Sequence, residues 1–224
     1  MNNLYIDEQT MKIIMNVIND NIKKSKINRL ELFKELNKTA KSNSIVFAGD
    51  SIIQRYPLDE MIQIDKKIYN RGIDGLESIE LLDNINIQML DLKPDIVFIM
   101  IGTNDLGVGV MLEEIVARIK KIIQMIRNKL PMTKVHIISL CPINEEIINS
   151  QPNYLERKRT NVLLCKLNQM IIDKIAKPFK INFIDIHRIL VDKSGNLKRE
   201  YTTDGLHLSA KAYRKITEII VHFL

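Results

Sequence analysis

The chain has 224 residues, 46% hydrophobic and 27% charged, a balance that fits a soluble globular protein with a large core and excludes a disordered or fibrous one. The formal net charge of +6 raises the question of nucleic acid, but Lys and Arg are dispersed along stretches such as Ile22 to Arg29 and Arg118 to Lys129. With six Tyr, six Phe and no Trp there is no aromatic platform for bases, so a solvated basic surface is expected and no nucleic-acid partner.

From Asp7 to about Thr39, apolar residues recur at helical spacing (Met11, Ile14, Met15, Ile18, then Leu30, Leu32, Phe33, Leu36), predicting one or two amphipathic helices ahead of the main domain. Beyond them, short apolar runs alternate with longer periodic segments in the manner of successive βα units. The runs are Ile45 to Ala48, Lys67 to Asn70, Asp95 to Ile101, Lys134 to Leu140 and Lys180 to Ile186. Consecutive apolar positions suit strands of a parallel sheet covered on both faces. The covering helices are expected at Leu76 to Leu90, Leu112 to Lys129, Tyr154 to Ile175 and Ser209 to Phe223. No repeat or linker divides the chain, which reads as an N-terminal extension, 1–43, packed on one domain, 44–224.

Cys141 and Cys165 lack metal-ligand spacing and disulfide density, and are read as reduced core residues. The N-terminus lacks the basic and apolar regions of a signal peptide, and no later run reaches transmembrane length, so a cytoplasmic location without membrane insertion is expected.

In an open parallel sheet, ligands bind beyond the carboxyl ends of the strands, so the chemistry is sought there. The first run ends in Ala48-Gly49-Asp50-Ser51, which puts a serine where a strand turns into a helix; the simpler reading is that Asp50 or Ser51 caps that helix. The second ends in Tyr69-Asn70-Arg71-Gly72 and the third in Gly102-Thr103-Asn104-Asp105. An acyl-transfer site needs donors for an oxyanion; Gly72 can offer an N–H and Asn104 a side-chain amide, while Asp50 and Asp105 can orient the loops. Each is also an ordinary strand-end turn. Near the C-terminus, Asp204 and His207 lie three residues apart, close enough for a carboxylate to orient an imidazole that activates a serine. His136 lies inside a run and His222 near the end, which leaves His187, two residues after Asp185, as the competitor. Leu106, Val108, Val110 and Ile143 are candidate contacts for an acyl group.

These blocks, in this order, resemble the SGNH hydrolases, the GDSL-type esterase and lipase family, and within it the branch of the platelet-activating-factor acetylhydrolase catalytic subunits and their bacterial relatives. The family's four name-giving positions match Ser51, Gly72, Asn104 and His207, with Asp204 before the histidine; Ile52 stands where the family's name has Leu. The resemblance implies a three-layer α/β/α fold, flavodoxin-like, with five parallel strands in the order 2-1-3-4-5. It also implies Ser51 as nucleophile, an oxyanion hole of Ser51, Gly72 and Asn104, no metal or cofactor, and a small-molecule ester substrate with a small acyl group such as acetyl. A carbohydrate O-acetylesterase is the nearest alternative, and a catalytically silent binding protein on the same fold the non-enzymatic one. The absence of G-x-S-x-G argues against the α/β-hydrolase superfamily. The N-terminal helices are left with three roles: packing on the domain, joining a homodimer, or forming part of the substrate rim.

Overall fold

The computed structural model describes residues 8–150 and 158–224, without the side chains of seven residues near the start of the first helix, Met11 and Met15 among them. Five strands, β1 (Ile45–Gly49), β2 (Ile68–Gly72), β3 (Ile96–Met100), β4 (Lys134–Ile138) and β5 (Asn182–Ile184), form one parallel sheet in the order β2-β1-β3-β4-β5. β1 and β3 are buried at every position, as expected of strands covered on both faces. Gly49 pairs with Gly72 on one side and Met100 on the other, so the carboxyl ends of the three strands finish level and their loops emerge side by side.

α5 (Leu112–Lys129) buries Leu112, Ile115, Val116, Ile119, Ile122, Ile123 and Ile126, the single stripe that three- and four-residue spacing produces. It packs between α3 (Ser78–Asp83) and α6 (Asn161–Ile171). α7 (Ala210–Ile220) covers the opposite face, where Phe47 stacks on Phe98 and Tyr213 of α7 stacks on Tyr56. The expected helix Leu76 to Leu90 is broken: Asn84 Nδ2 donates to the Glu80 carbonyl and ends α3, after which Ile85–Gln88 and a 3-10 turn at Leu90–Leu92 follow. The start of the expected helix Tyr154 to Ile175 lies outside the described residues; α6 begins after Thr160, whose hydroxyl caps the Leu163 N–H, and passes into a π turn at Ile172–Ala176.

The N-terminal segment forms one helix, α1 (Glu8–Asn37). Phe33 is buried beneath the Arg71 guanidinium, Lys26 pairs with Glu80, Arg29 donates to the Gly72 carbonyl and Asn37 to that of Ile87. These contacts run beside β2 and α3, so α1 lies against the loop that leaves β2. Among the described residues, no helix is long and apolar enough to cross a membrane.

Candidate active site

Ser51 opens α2 (Ser51–Gln54), immediately after β1. Asp50 caps that turn by accepting the Ile52 N–H at 2.9 Å through Oδ1. Helix α7 fixes the turn from the other side: the Tyr213 hydroxyl donates to the Ile52 carbonyl, and the Tyr56 and Thr217 hydroxyls are hydrogen-bonded at 2.6 Å. The serine Oγ therefore sits on a short, well-braced element.

His207 Nε2 lies 3.0 Å from Ser51 Oγ, and its Nδ1 lies 2.5 Å from Asp204 Oδ2. The other oxygen, Oδ1, accepts the backbone N–H groups of Leu206 and His207, so one carboxylate both folds the loop and orients the ring. Burial opposes ionisation of Asp204, but the His207 bond and those two N–H groups outweigh it and hold the carboxyl below its usual value. His187, the competitor, is directed elsewhere, toward the Leu140 carbonyl and Cys165. Cys165, expected in the core, is exposed, and Cys141 is buried.

Asn104 and Asp105 open α4 (Thr103–Val108) after β3. Asp105 is fully buried and accepts the Ser78 N–H, the Ser78 hydroxyl and an Arg118 N–H. One Asn104 amide hydrogen goes to the Leu76 carbonyl at 3.0 Å. The loops after β2 and β3 are thereby clamped together, and the second amide hydrogen of Asn104 has no hydrogen-bond partner among the described residues.

Gly72 does not offer its N–H to this site. That group donates to Asn70 Oδ1 at 3.0 Å, and the missing side chain serves packing instead, since a Cβ here would lie 2.2 Å from the Gln54 nitrogen. The glycine at the cleft is Gly75, three residues on, held at φ +71 where a side chain is strained; its N–H has no hydrogen-bond partner among the described residues. The second glycine of Asn70-Arg71-Gly72-Ile73-Asp74-Gly75 was the available signal.

The cleft above Ser51 has a volume of about 410 Å³. Besides Ser51, Asn104 and His207, it is lined by Arg55, Asp74, Gly75, Arg159 and Leu206, and by Asn21, Ile22 and Ser25 of α1. Leu106, Val108, Val110 and Ile143 are not part of that lining. Leu106 and Ile143 are turned into the core at 2% and 1% exposure, Val110 packs against it, and Val108 faces solvent. Of the lining residues absent from the sequence reading, Arg55 follows Ser51 by one helical turn and was within reach of spacing arguments. Nothing local to Arg159 announced its place, and for α1 the cleft was one of three roles left open.

The profile of the GDSL-like Lipase/Acylhydrolase family matches residues 47–215. The chain belongs to that family. It is thus an enzyme of the esterase type, on the fold and in the family that its motifs resemble. A rat relative, platelet-activating factor acetylhydrolase IB subunit alpha2, is 27% identical over 183 residues, which is 79% of this chain and 73% of the relative. A Streptococcus pneumonia protein, solved under the provisional description of a platelet activating factor, is 31% identical with a TM-score of 0.87, over 95% of this chain and 98% of its own. An acetylxylan esterase from Geobacillus stearothermophilus, solved as a catalytic mutant, shares the fold at 17% identity and a TM-score of 0.61, over 83% and 95% of the two chains.

Proposed function

We propose that this GDSL-family enzyme hydrolyses carboxylic esters of short acyl groups through an acyl-serine intermediate formed on Ser51. The observation that carries the reading is the continuous line from Ser51 Oγ through the His207 ring to Asp204. With Nδ1–H donated to the ionised Asp204, Nε2 is left unprotonated and accepts the serine proton as Oγ attacks the ester carbonyl. The imidazolium then gives that proton to the departing alcohol. Water, deprotonated in turn by His207, releases the acyl group as a carboxylate. The tetrahedral oxyanion is taken by the Ser51 and Gly75 N–H groups and the remaining Asn104 amide hydrogen, with Gly75 in the role expected of Gly72.

Residues 44–224 form the hydrolase domain in this reading, with 1–43 as an extension that contributes one wall of the cleft. The lining supports a second, narrower proposal. Asn21, Ser25, Arg55, Asp74 and Asn104 place hydrogen-bonding groups around the cleft, which suits a polar alcohol such as an acetylated carbohydrate.

The test combines labelling with a fluorophosphonate and hydrolysis of 4-nitrophenyl esters from acetate to octanoate. Wild type labels and prefers the shortest chains, and Ser51→Ala does neither. Undiminished hydrolysis by folded Ser51→Ala overturns the mechanism, and a rate that rises with chain length overturns the substrate reading. Acetylated sugars and phospholipid esters, assayed side by side, then decide the alcohol.

A further inference from the structure

From Ile73 to Glu77, every backbone N–H except that of Gly75 has an acceptor among the described residues. Ile73 donates to the Gly49 carbonyl at 3.0 Å, Asp74 to Gln54 Oε1 at 2.9 Å, Leu76 to the Ile73 carbonyl at 3.1 Å and Glu77 to Glu80 Oε2 at 2.9 Å. The Leu76 bond closes a four-residue turn with Asp74 and Gly75 at its centre. A φ of +71 at Gly75, with Asp74 on the ordinary negative side, is the type II form of that turn. The peptide between the two residues carries the Gly75 N–H. The type I form differs by about 150° in ψ before that peptide and about 170° in φ after it, which turns the N–H over.

Gln54 is the last residue of α2, one helical turn after Ser51. Its side-chain oxygen therefore ties the entry of the Gly75 turn to the element that bears the proposed nucleophile. Arg55 reaches the same aspartate, but its pair with the Asp74 carboxylate spans 3.4 Å between side chains 45% and 41% exposed. Water screens such a pair, and it leaves the backbone free to rotate. The Gln54 bond is partly buried and grips the backbone itself. Gln54 is not among the residues that line the cleft, so its influence there passes through the turn.

Resting on the acyl-serine reading above and on its use of the Gly75 N–H, we propose that Gln54 is a positioning residue. Its side-chain oxygen holds the Asp74–Gly75 peptide in the orientation that aims the Gly75 N–H at the oxyanion. Without that acceptor the turn is free to take the type I form, and the oxyanion keeps two donors, the Ser51 N–H and the Asn104 amide.

The test compares 4-nitrophenyl acetate with its thiono analogue, in which sulfur, a weaker hydrogen-bond acceptor, replaces the carbonyl oxygen. Wild type is expected to favour the oxygen ester, because the oxyanion donors reward oxygen. Gln54→Met keeps the side-chain length and removes the acceptor. It is expected to lower kcat/KM for the oxygen ester by about tenfold or more and to shrink the oxygen-to-sulfur ratio with it. Gln54→Glu, which keeps an acceptor, is expected to stay nearer to wild type in both. Turnover is counted per serine labelled by the fluorophosphonate, so unfolded molecules do not enter, and a general loss of structure lowers both substrates alike without moving the ratio. If Gln54→Met yields no labelled enzyme, the ratio in Gln54→Ala decides in its place. A ratio that the variant leaves at the wild-type value overturns the proposal, as does one that falls equally in Gln54→Glu. Undiminished hydrolysis by folded Ser51→Ala defeats the acyl-serine reading itself, whereas a Ser51-dependent enzyme whose ratio ignores Gln54 loses the positioning role alone.

Discussion

Replacing Asp204 by Asn separates chemistry from folding, because the carboxylate divides its two oxygens between them. Oδ1 accepts the N–H groups of Leu206 and His207, while Oδ2 faces His207 Nδ1. Asparagine keeps its oxygen on the two backbone donors and turns its NH2 toward the ring. Nδ1 must then accept, the ring proton moves to Nε2, and Nε2 donates across the 3.0 Å to Ser51 Oγ instead of accepting from it. The change leaves the serine without a base and the imidazolium without its counter-charge. In triads of this geometry the loss is on the order of 10⁴ in kcat, which corresponds to about 5.5 kcal/mol of transition-state stabilisation. The fold gives up one charge-assisted hydrogen bond in a partly exposed loop, about 1 kcal/mol. Turnover of 4-nitrophenyl acetate and a urea melt on the same preparation read the two effects. A variant that melts like wild type and retains kcat within tenfold refutes the assignment of Asp204.

Asn104→Ala is expected to lower kcat by about 10² to 10³ with little change in the unfolding midpoint, and a normal rate on any ester that wild type cleaves removes Asn104 from the mechanism. Gly72→Ala and Gly75→Ala should differ in kind. A Cβ at Gly72 meets the Gln54 backbone and costs about 1–3 kcal/mol of stability. At Gly75 it meets only Ile22 and Lys26 side-chain atoms, at 3.4 Å and beyond, but strains a φ of +71, so kcat falls more than the melting temperature; equal losses of stability in the two variants contradict this. Asp50 supplies a pH dependence of stability. Its folded pKa, about 7, stands above the ordinary 3.8, so the folded state holds the proton more tightly; the associated stability is complete below about pH 4 and is lost as pH rises to 7 and beyond. The span is worth up to about 4 kcal/mol at 1.36 kcal/mol per unit. In Asp50→Asn, urea melts across that range should show a flatter profile than wild type, and parallel profiles exclude Asp50 as the source.

The sheet was legible because its information is local. The run Ile96-Val97-Phe98-Ile99-Met100 is apolar at every position, and Leu112 to Lys129 repeats its stripe over five turns, so strand and helix follow from pattern alone. Ser51 and Asn104 stood out as polar residues at the ends of such runs, and His207 through Asp204 three residues before it; the structure places Ser51 and His207 within 3.0 Å of each other. Which glycine of the β2 loop faces the cleft was not, since it depends on where the Asn70 side chain spends its acceptor. The acyl contacts failed for a related reason: Leu106, Val108 and Val110 adjoin Asn104 in sequence, but α4 and the turn after it rotate them away from it. Asn84 broke a periodic segment through one side-chain hydrogen bond, a competition that hydrophobic spacing does not encode. Arg159 and the α1 wall come from packing between elements far apart in the chain, a level at which neither motif nor period carries a signal.

The proposed nucleophile and its base are separated by 156 positions, and the helix after His207 also pins the turn that bears Ser51. During synthesis, the serine therefore emerges 156 residues ahead of the histidine proposed to activate it. In that mechanism, a polypeptide cut short before His207 carries a hydroxyl with nothing to ionise it, and one cut short before Tyr213 in the helix that follows lacks the bond that holds the serine's turn.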